Sequence, residues 1–528
     1  MRTGEPATAI TLGFLPRTHR IWLGFILVLV AYAVLFTFWQ AEPVPAYVHA
    51  ASILVVGLCF LPTALWYARG AQSLPIFEMI CLAYAAQFEN PLYLQLNQLV
   101  IQNVVVRPSW DSVFQALLLV VLGIVALLTG YYLAGWRRVM TALPEVNLPL
   151  HSNHTFTYLS LACVVGILAL AAQTLGWSPD NSGGLGAVVR LLASQTYIAI
   201  VLLTYRAYTE RKGGRVWMGM LYSVVGSAAL LGLSTGLLEN AFIPLVLFVA
   251  VRWHVTRRLQ SHLLLAALIG FTLLNAVKTE YRAQAWSGTA NLSLPQKVGL
   301  WLDAAQHLAL DTTQTNGSSQ SLDLFSQSAT RFDQLHKFAY VLQLTPAVVP
   351  YFGGASYSYL LYGWIPRFLW PDKPVASDVT HLFDRSYNLH VTLSSSDGTN
   401  IGIGQLPEAY ANFGVLGVAV VMFLQGIFFA LLGRIFNSPQ SDGGRAIYLS
   451  VMIFFLNGIG AQTIILFGNL IQNVVASAVL MRPFTSGWQR SPRVETTGAE
   501  LSPVRAVPRS VNPRTWRVAQ NGRDRRRP

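Results

Sequence analysis

The stretch 113–138, VFQALLLVVLGIVALLTGYYLAGWRR, runs without a formal charge until it reaches Arg137 and Arg138. An α-helix crosses the hydrocarbon core of a bilayer in about 20 residues, so residues 113–135 are long enough to span one. The arginine pair just past them marks a cytoplasmic boundary, because Lys and Arg are biased to that side. Similar runs recur along the chain. They predict spanning helices near 21–41, 48–68, 74–92, 113–135, 155–176, 188–207, 216–235, 238–253, 261–278, 412–434, 446–466 and 468–484. The third carries Glu78 and Glu89, and the eighth is short.

Composition agrees with this reading. Of 528 residues, 53% are hydrophobic and 11% charged, against about 25% charged in soluble domains. The expected fold is an all-α polytopic membrane protein, a bundle of about 12 transmembrane helices whose main solvent is lipid. The net charge of +13 is concentrated at the C-terminus, where residues 485–528 hold ten arginines against three acids. With prolines at 492, 503, 508 and 513, that tail reads as disordered and basic, a topology signal or a contact for anionic lipid. Its charge is not accompanied by aromatic interleaving or a recognised binding motif, so no nucleic-acid partner is expected. Cys59, Cys81 and Cys163 lie in apolar segments without paired spacing and suggest neither disulfide nor metal. Arg17 and Arg20 precede an apolar run longer than a signal-peptide core, which reads as an uncleaved first helix.

Charge alternation sets the orientation. Arg17 and Arg20, Arg69, Arg137 and Arg138, the group from Arg206 to Arg215, Arg252 to Arg258, Arg434 and Arg445, and the tail fall in alternate connections. Those between hold mainly Glu42, Glu89, Asp180 and Glu239, with Arg107 and Arg190 as exceptions. Both termini are therefore expected in the cytoplasm. One connection is far longer than the rest: about 130 residues, 279–411, on the outer face. The expected organisation is residues 1–278 with helices 1 to 9, the large outer loop 279–411, residues 412–484 with helices 10 to 12, and the tail 485–528. Within the loop, Phe332, Leu335, Phe338 and Leu342 recur at helical spacing up to Pro346. An aromatic stretch then follows that suits the membrane interface.

Two segments carry a resemblance: TRFDQLHKFAYVLQLTPAVVPYFGGASYSYLLYGWIPRFLWPDKP, 330–374, and GIGQLPEAYANFGVLG, 402–417. Through their "TP...PY..G..Y", "IPR.LWP.KP" and "EAY.NFG..G" elements the sequence resembles Wzy-type O-antigen polymerases, the oligosaccharide repeat-unit polymerases, over about 90 residues. The resemblance implies a GT-C-like architecture with a partly helical periplasmic loop in the bacterial inner membrane. It also implies a membrane glycosyltransferase that polymerises undecaprenyl-pyrophosphate-linked oligosaccharide into O-antigen or exopolysaccharide. Membrane lipids, a chain-length regulator and a flippase are the expected partners, and no cofactor is expected. Two other functions fit a similar layout: an O-antigen ligase that transfers the glycan to lipid A core, and a flippase or transporter for the lipid-linked oligosaccharide.

The residues can be read against that chemistry. A diphosphate leaving group calls for cations near the interface, and the planar fork of arginine binds a pair of phosphate oxygens. Arg367, set among Trp364, Pro366, Phe368 and Trp370, is the first catalytic candidate, with an interface anchor as its alternative. Arg282, Arg331, Lys373 and Arg190 are further candidates for pyrophosphate or sugar, with Lys337 behind them. Lys373 has the alternative of pairing with Asp372 across the turn. A sugar hydroxyl attacking an anomeric carbon benefits from a base, and Glu408 just before the tenth helix is the catalytic candidate. Its alternative is a carboxylate favoured at a helix N-terminus. Tyr410 and Asn412 are placed to hold sugar hydroxyls, and His381 and His390 are lesser bases. Asp378, Asp384 and Asp397 match no tight calcium or magnesium loop, so no metal is expected.

Overall fold

The charge-poor runs become helices. This computed structural model describes residues 17–38, 40–70, 73–94, 97–101, 104–133, 152–174, 184–209, 214–256, 260–286, 292–314, 333–363, 365, 369–370, 372–374, 377–389, 402–437, 442–468 and 470–484. The first half contains α1 (Arg17–Phe38), α2 (Ala46–Ala68), α3 (Ile76–Leu94), α4 (Trp110–Tyr132), α5 (Ser152–Thr174), α6 (Gly184–Thr209), α7 (Gly214–Leu233), α8 (Leu238–Thr256) and α9 (Ser261–Trp286). The second half contains α10 (Leu294–Gln314), α11 (Leu335–Leu344), the single turns α12 (Ala355–Ser358) and α13 (Leu360–Gly363), α14 (Ser377–Ser386), α15 (Gln405–Phe436), α16 (Asp442–Asn457), α17 (Thr463–Phe467) and α18 (Leu470–Met481). The all-helical expectation misses one element: β1 (Leu99–Ile101) and β2 (Val104–Val106) pair antiparallel between α3 and α4. Their composition is almost wholly β-branched, which favours a pleated ribbon.

Among the described residues nine helical stretches are long and apolar enough to cross a membrane: those in α1, α2, α4 to α8 and α15, and Thr463–Met481 across α17 and α18. The chain is a mostly helical membrane protein. α9 and α16 contain shorter apolar stretches, Leu265–Lys278 and Gly443–Leu456, and α3 carries the buried Glu78 and Glu89. The opening stretch becomes α4, whose start is set by Ser109: its Oγ accepts from Ser112 N at 3.2 Å. α1 packs on α2 and exposes Ile26, Leu27, Leu35 and Phe38, as a lipid-facing helix should.

Because lipid tails are as apolar as leucine, helices here associate by close packing rather than by hydrophobicity. The pair α4 and α15 shows how. A Cβ on Gly130 would strike the Phe423 carbonyl oxygen, and one on Gly426 would strike the Leu127 carbonyl oxygen. The glycines let two backbones touch. α11 then packs on α4, α3 and α15 and buries Leu335, Phe338, Ala339 and Val341. The amphipathic run read from the sequence is thus part of the core of the bundle.

The helix expected to begin at 412 begins instead at Gln405, and it is broken. Gly414 has φ 65° and ψ −150°, a non-helical conformation inside α15 that only glycine adopts without strain. The segment 405–413 is therefore a separate short helix leading into the long apolar one.

Candidate functional site

Irregular backbone inside a membrane bundle must have its polar groups satisfied by protein. Around the Gly414 break this is done by the chain on either side of α12. Phe352 N donates to Ala411 O at 3.0 Å and Gly353 N to Asn412 O at 3.1 Å, while Gly354 N donates to Asn412 Oδ1 at 3.0 Å. Asn412 Nδ2 donates to Ser356 Oγ and to Glu408 O, each at 2.8 Å. Glu408 completes the arrangement. Its Oε1 accepts from Ser356 Oγ at 2.7 Å, and its Oε2 accepts from Thr463 N at 2.6 Å and Thr463 Oγ1 at 2.7 Å. One carboxylate thus ties α12, the start of α15 and the first turn of α17 together, a clamp with no exposed surface on Glu408.

This geometry assigns positions to the sequence candidates. Glu408 is fully buried, and both of its carboxylate oxygens are engaged within the clamp. Asn412 is 1% exposed and its amide bonds within the clamp. Tyr410 Oη donates to Thr345 O at 3.4 Å. Lys373 Nζ donates to Gly363 O at 2.9 Å and Ile365 O at 2.8 Å, closing the turn after α13. Arg190 is exposed on α6. Arg331, Arg367, His390, Asp397 and the tail 485–528 lie outside the described residues.

Beside the clamp lies a cavity of about 1280 Å3, larger than the roughly 300–1,000 Å3 of ordinary small-molecule sites. Its polar lining includes Gln87 on α3, Glu239 on α8, Arg282 on α9, Gln334 and Lys337 at α11, and Gln462 before α17. Its apolar lining includes Phe242, Ile243 and Val246 on α8 and Phe271 on α9. α8 and α9 follow one another in the chain, so the start of α8 and the end of α9 lie at the same end of the pair. Val246 is about 10 Å of helix further in than Glu239, and Phe271 about 16 Å further in than Arg282, at 1.5 Å per residue. The cavity is charged at one end and apolar toward the middle of the helices.

The cations are held by backbone carbonyls. Arg282 Nε donates to Gly236 O at 2.9 Å, next to Tyr281, whose hydroxyl donates to Ser234 O at 2.7 Å. Lys337 Nζ donates to Gly402 O at 3.2 Å. Burial pushes the Lys337 ammonium below the ordinary lysine value, and the Asp333 carboxylate opposes that shift. Asp333 also starts α11: its Oδ1 accepts from His336 N at 3.0 Å and its Oδ2 lies 2.8 Å from His336 Nδ1. A cavity lined by two cations, carboxamides and apolar side chains can receive an anionic, hydroxylated head group with a long apolar tail.

Of the residues singled out by sequence, the structure brings Arg282 and Lys337 to this cavity. Glu239, Gln87, Gln334 and Gln462 were missed. The available signal was the presence of amides and an acid at or within apolar runs, where each unsatisfied polar group is expensive.

A family model described as Domain of unknown function (DUF8712) matches residues 89–481, well over half of the chain. No curated protein and no solved structure matches it.

Proposed function

The chain belongs to the DUF8712 family, and we propose that it is a membrane glycosyltransferase that polymerises undecaprenyl-pyrophosphate-linked oligosaccharide repeat units. The observation that carries this reading is the cavity, whose lining combines Arg282 and Lys337 with Phe242, Val246 and Phe271. A polyprenyl tail fits the apolar part, and a diphosphate fits two cations. In this proposal the bundle has about 12 spanning helices, both termini are cytoplasmic, and residues 279–411 form a periplasmic loop of an inner-membrane protein.

The reaction balances on these groups. A hydroxyl oxygen of the acceptor sugar attacks the anomeric carbon of the donor, and the bond from that carbon to the diphosphate oxygen breaks. Undecaprenyl pyrophosphate leaves, its charge met by Arg282 and Lys337. The hydroxyl proton passes to the carboxylate of Glu239, which lines the cavity and is exposed. Arg367 keeps the diphosphate-binding role, and Arg331 the pyrophosphate- or sugar-binding role, read for them from the sequence. A chain-length regulator and a flippase remain the proposed partners.

The test is incubation of the purified protein with a defined undecaprenyl-pyrophosphate repeat unit, with products resolved by length. A ladder is expected. A single addition to lipid A core makes the enzyme a ligase, and absence of any new covalent product removes the enzymatic reading.

A further inference from the structure

Two glutamines of the cavity lining are buried yet incompletely hydrogen bonded. Gln334 is 3% exposed and Gln462 0% exposed. Among the described residues, Gln334 Oε1 and Gln462 Nε2 have no hydrogen-bond partner. Leaving such atoms unmet in a folded protein is costly, so each calls for an explanation.

The surroundings of Gln334 are built to keep its amide where it is. Gln334 N donates to Gln87 O at 3.1 Å, which anchors the head of α11 on α3. A Cβ on Gly460 would come within 2.6 Å of Gln334 Nε2 and 3.6 Å of Gln87 Oε1, and one on Gly404 within 2.8 Å of Gln334 Oε1. Gly404 has φ 86°, where side chains are strained. Two glycines therefore flank the amide, and a third amide, Gln87, converges on the same point. Gln462 Oε1 accepts from Thr380 Oγ1 at 3.4 Å, which leaves its Nε2 as the spare donor. Lys337 lies three residues after Gln334, at the spacing of side chains that share a helix face.

We propose that Gln87, Gln334 and Gln462 form a subsite for the uncharged sugar attached directly to the donor diphosphate. A carboxamide offers both donor and acceptor, which matches a sugar hydroxyl, itself both. An anion would use only the donors and leave Gln334 Oε1 unmet. Lys337 marks the diphosphate side of the subsite, and the sugar extends from it across the three amides. This inference rests on the donor reading given above and adds to it a recognition of the first sugar.

The test uses full-length protein in nanodiscs and four probes: undecaprenyl pyrophosphate alone, and the same lipid carrying glucose, N-acetylglucosamine or glucuronic acid. Wild-type protein is expected to bind the two neutral sugar lipids about tenfold or more tighter than the sugar-free lipid, and the glucuronic acid lipid no tighter than the sugar-free one. Gln334→Met and Gln462→Met, close in shape and without hydrogen-bonding groups, are expected to erase that preference and leave affinity for undecaprenyl pyrophosphate within about twofold. Lys337→Met is expected to weaken all four probes. Equal wild-type affinity for sugar-free and sugar-bearing lipids overturns the subsite, whether or not the glutamine variants fold. Equal loss of all probes in Gln334→Met or Gln462→Met also overturns it, since the amides would then serve the diphosphate or the fold. Failure of wild-type protein to bind any probe removes the donor reading itself, an outcome distinct from loss of sugar preference alone.

Discussion

The clamp around Glu408 and the cavity next to it are both polar regions inside an apolar bundle, and they differ in one respect. In the clamp, Glu408, Asn412, Ser356 and Thr463 satisfy one another. In the cavity, Gln334 Oε1 and Gln462 Nε2 have no partner among the described residues, and Arg282 and Lys337 line an open volume. A closed polar network holds structure together, and an incomplete one invites a ligand. Glu408 and Asn412 of the clamp fall in the "EAY.NFG..G" element, and Gly354, which donates to Asn412, falls in "TP...PY..G..Y". The densest motif in the chain is therefore the scaffold of the site, and the candidate chemistry lies beside it.

The sharpest way to break this distinction is at Glu408. Glu408→Ala leaves the Ser356 hydroxyl and both Thr463 donors buried without an acceptor and should cost about 3 kcal/mol or more of stability, measured by unfolding in detergent. Glu408→Gln retains an acceptor and should cost only about 1 kcal/mol, with turnover of the folded variant within about threefold of wild type. A 100-fold slower Glu408→Gln enzyme with an intact fold would return the base to Glu408 and erase the division between the two regions.

Lys337→Met should show the opposite pattern. It removes a cation from the cavity without opening the clamp, so transfer should fall by about 100-fold, about 2.7 kcal/mol of transition-state stabilisation, while the unfolding midpoint barely moves. A large loss of stability with normal transfer would make Lys337 a structural residue.

Gly414→Ala sits between these in character and below them in size. Forcing an alanine to φ 65° and ψ −150° should cost about 1–2 kcal/mol. The added Cβ also comes to 3.2 Å from Tyr351 Oη. Stability should drop while the folded fraction keeps its rate, a split read by comparing unfolding with single-turnover transfer.

The smallest effect is the pH dependence of Lys337. Its folded value is lowered by burial, whereas the unfolded chain holds the proton up to about pH 10.4. Between the folded value and that pH the unfolded state binds more protons, so stability rises with pH across the window. Donor affinity should fall across the same window as the ammonium loses its charge. Lys337→Arg, which stays charged, should flatten the binding profile measured with undecaprenyl pyrophosphate. An unchanged profile would take Lys337 out of diphosphate binding.

Much of the bundle was legible because hydropathy adds residue by residue. The run 113–135 becomes α4, Trp110–Tyr132, which starts earlier because Ser109 caps the helix and ends at Tyr132. The start of α15 was misjudged by hydropathy, because Gln405 and Glu408 look like loop residues until their partners are known. Arg282 was found as a charge emerging at the end of an apolar run. Gln87, Gln334 and Gln462 were not, because nothing local separates a glutamine at a cavity wall from one that is simply satisfied.

Apolar runs of spanning length and few charges already establish the solvent and the class, a mostly helical membrane protein, because each spanning helix satisfies its own backbone. Which polar side chains are spent and which are available emerges only once the helices have packed. Glu408 meets Thr463 across 55 residues, and Gln87 meets Gln334 across most of the chain's first two thirds. Hydrogen-bond satisfaction is a property of neighbours brought together by folding, and it separates a clamp from a site where composition and spacing do not.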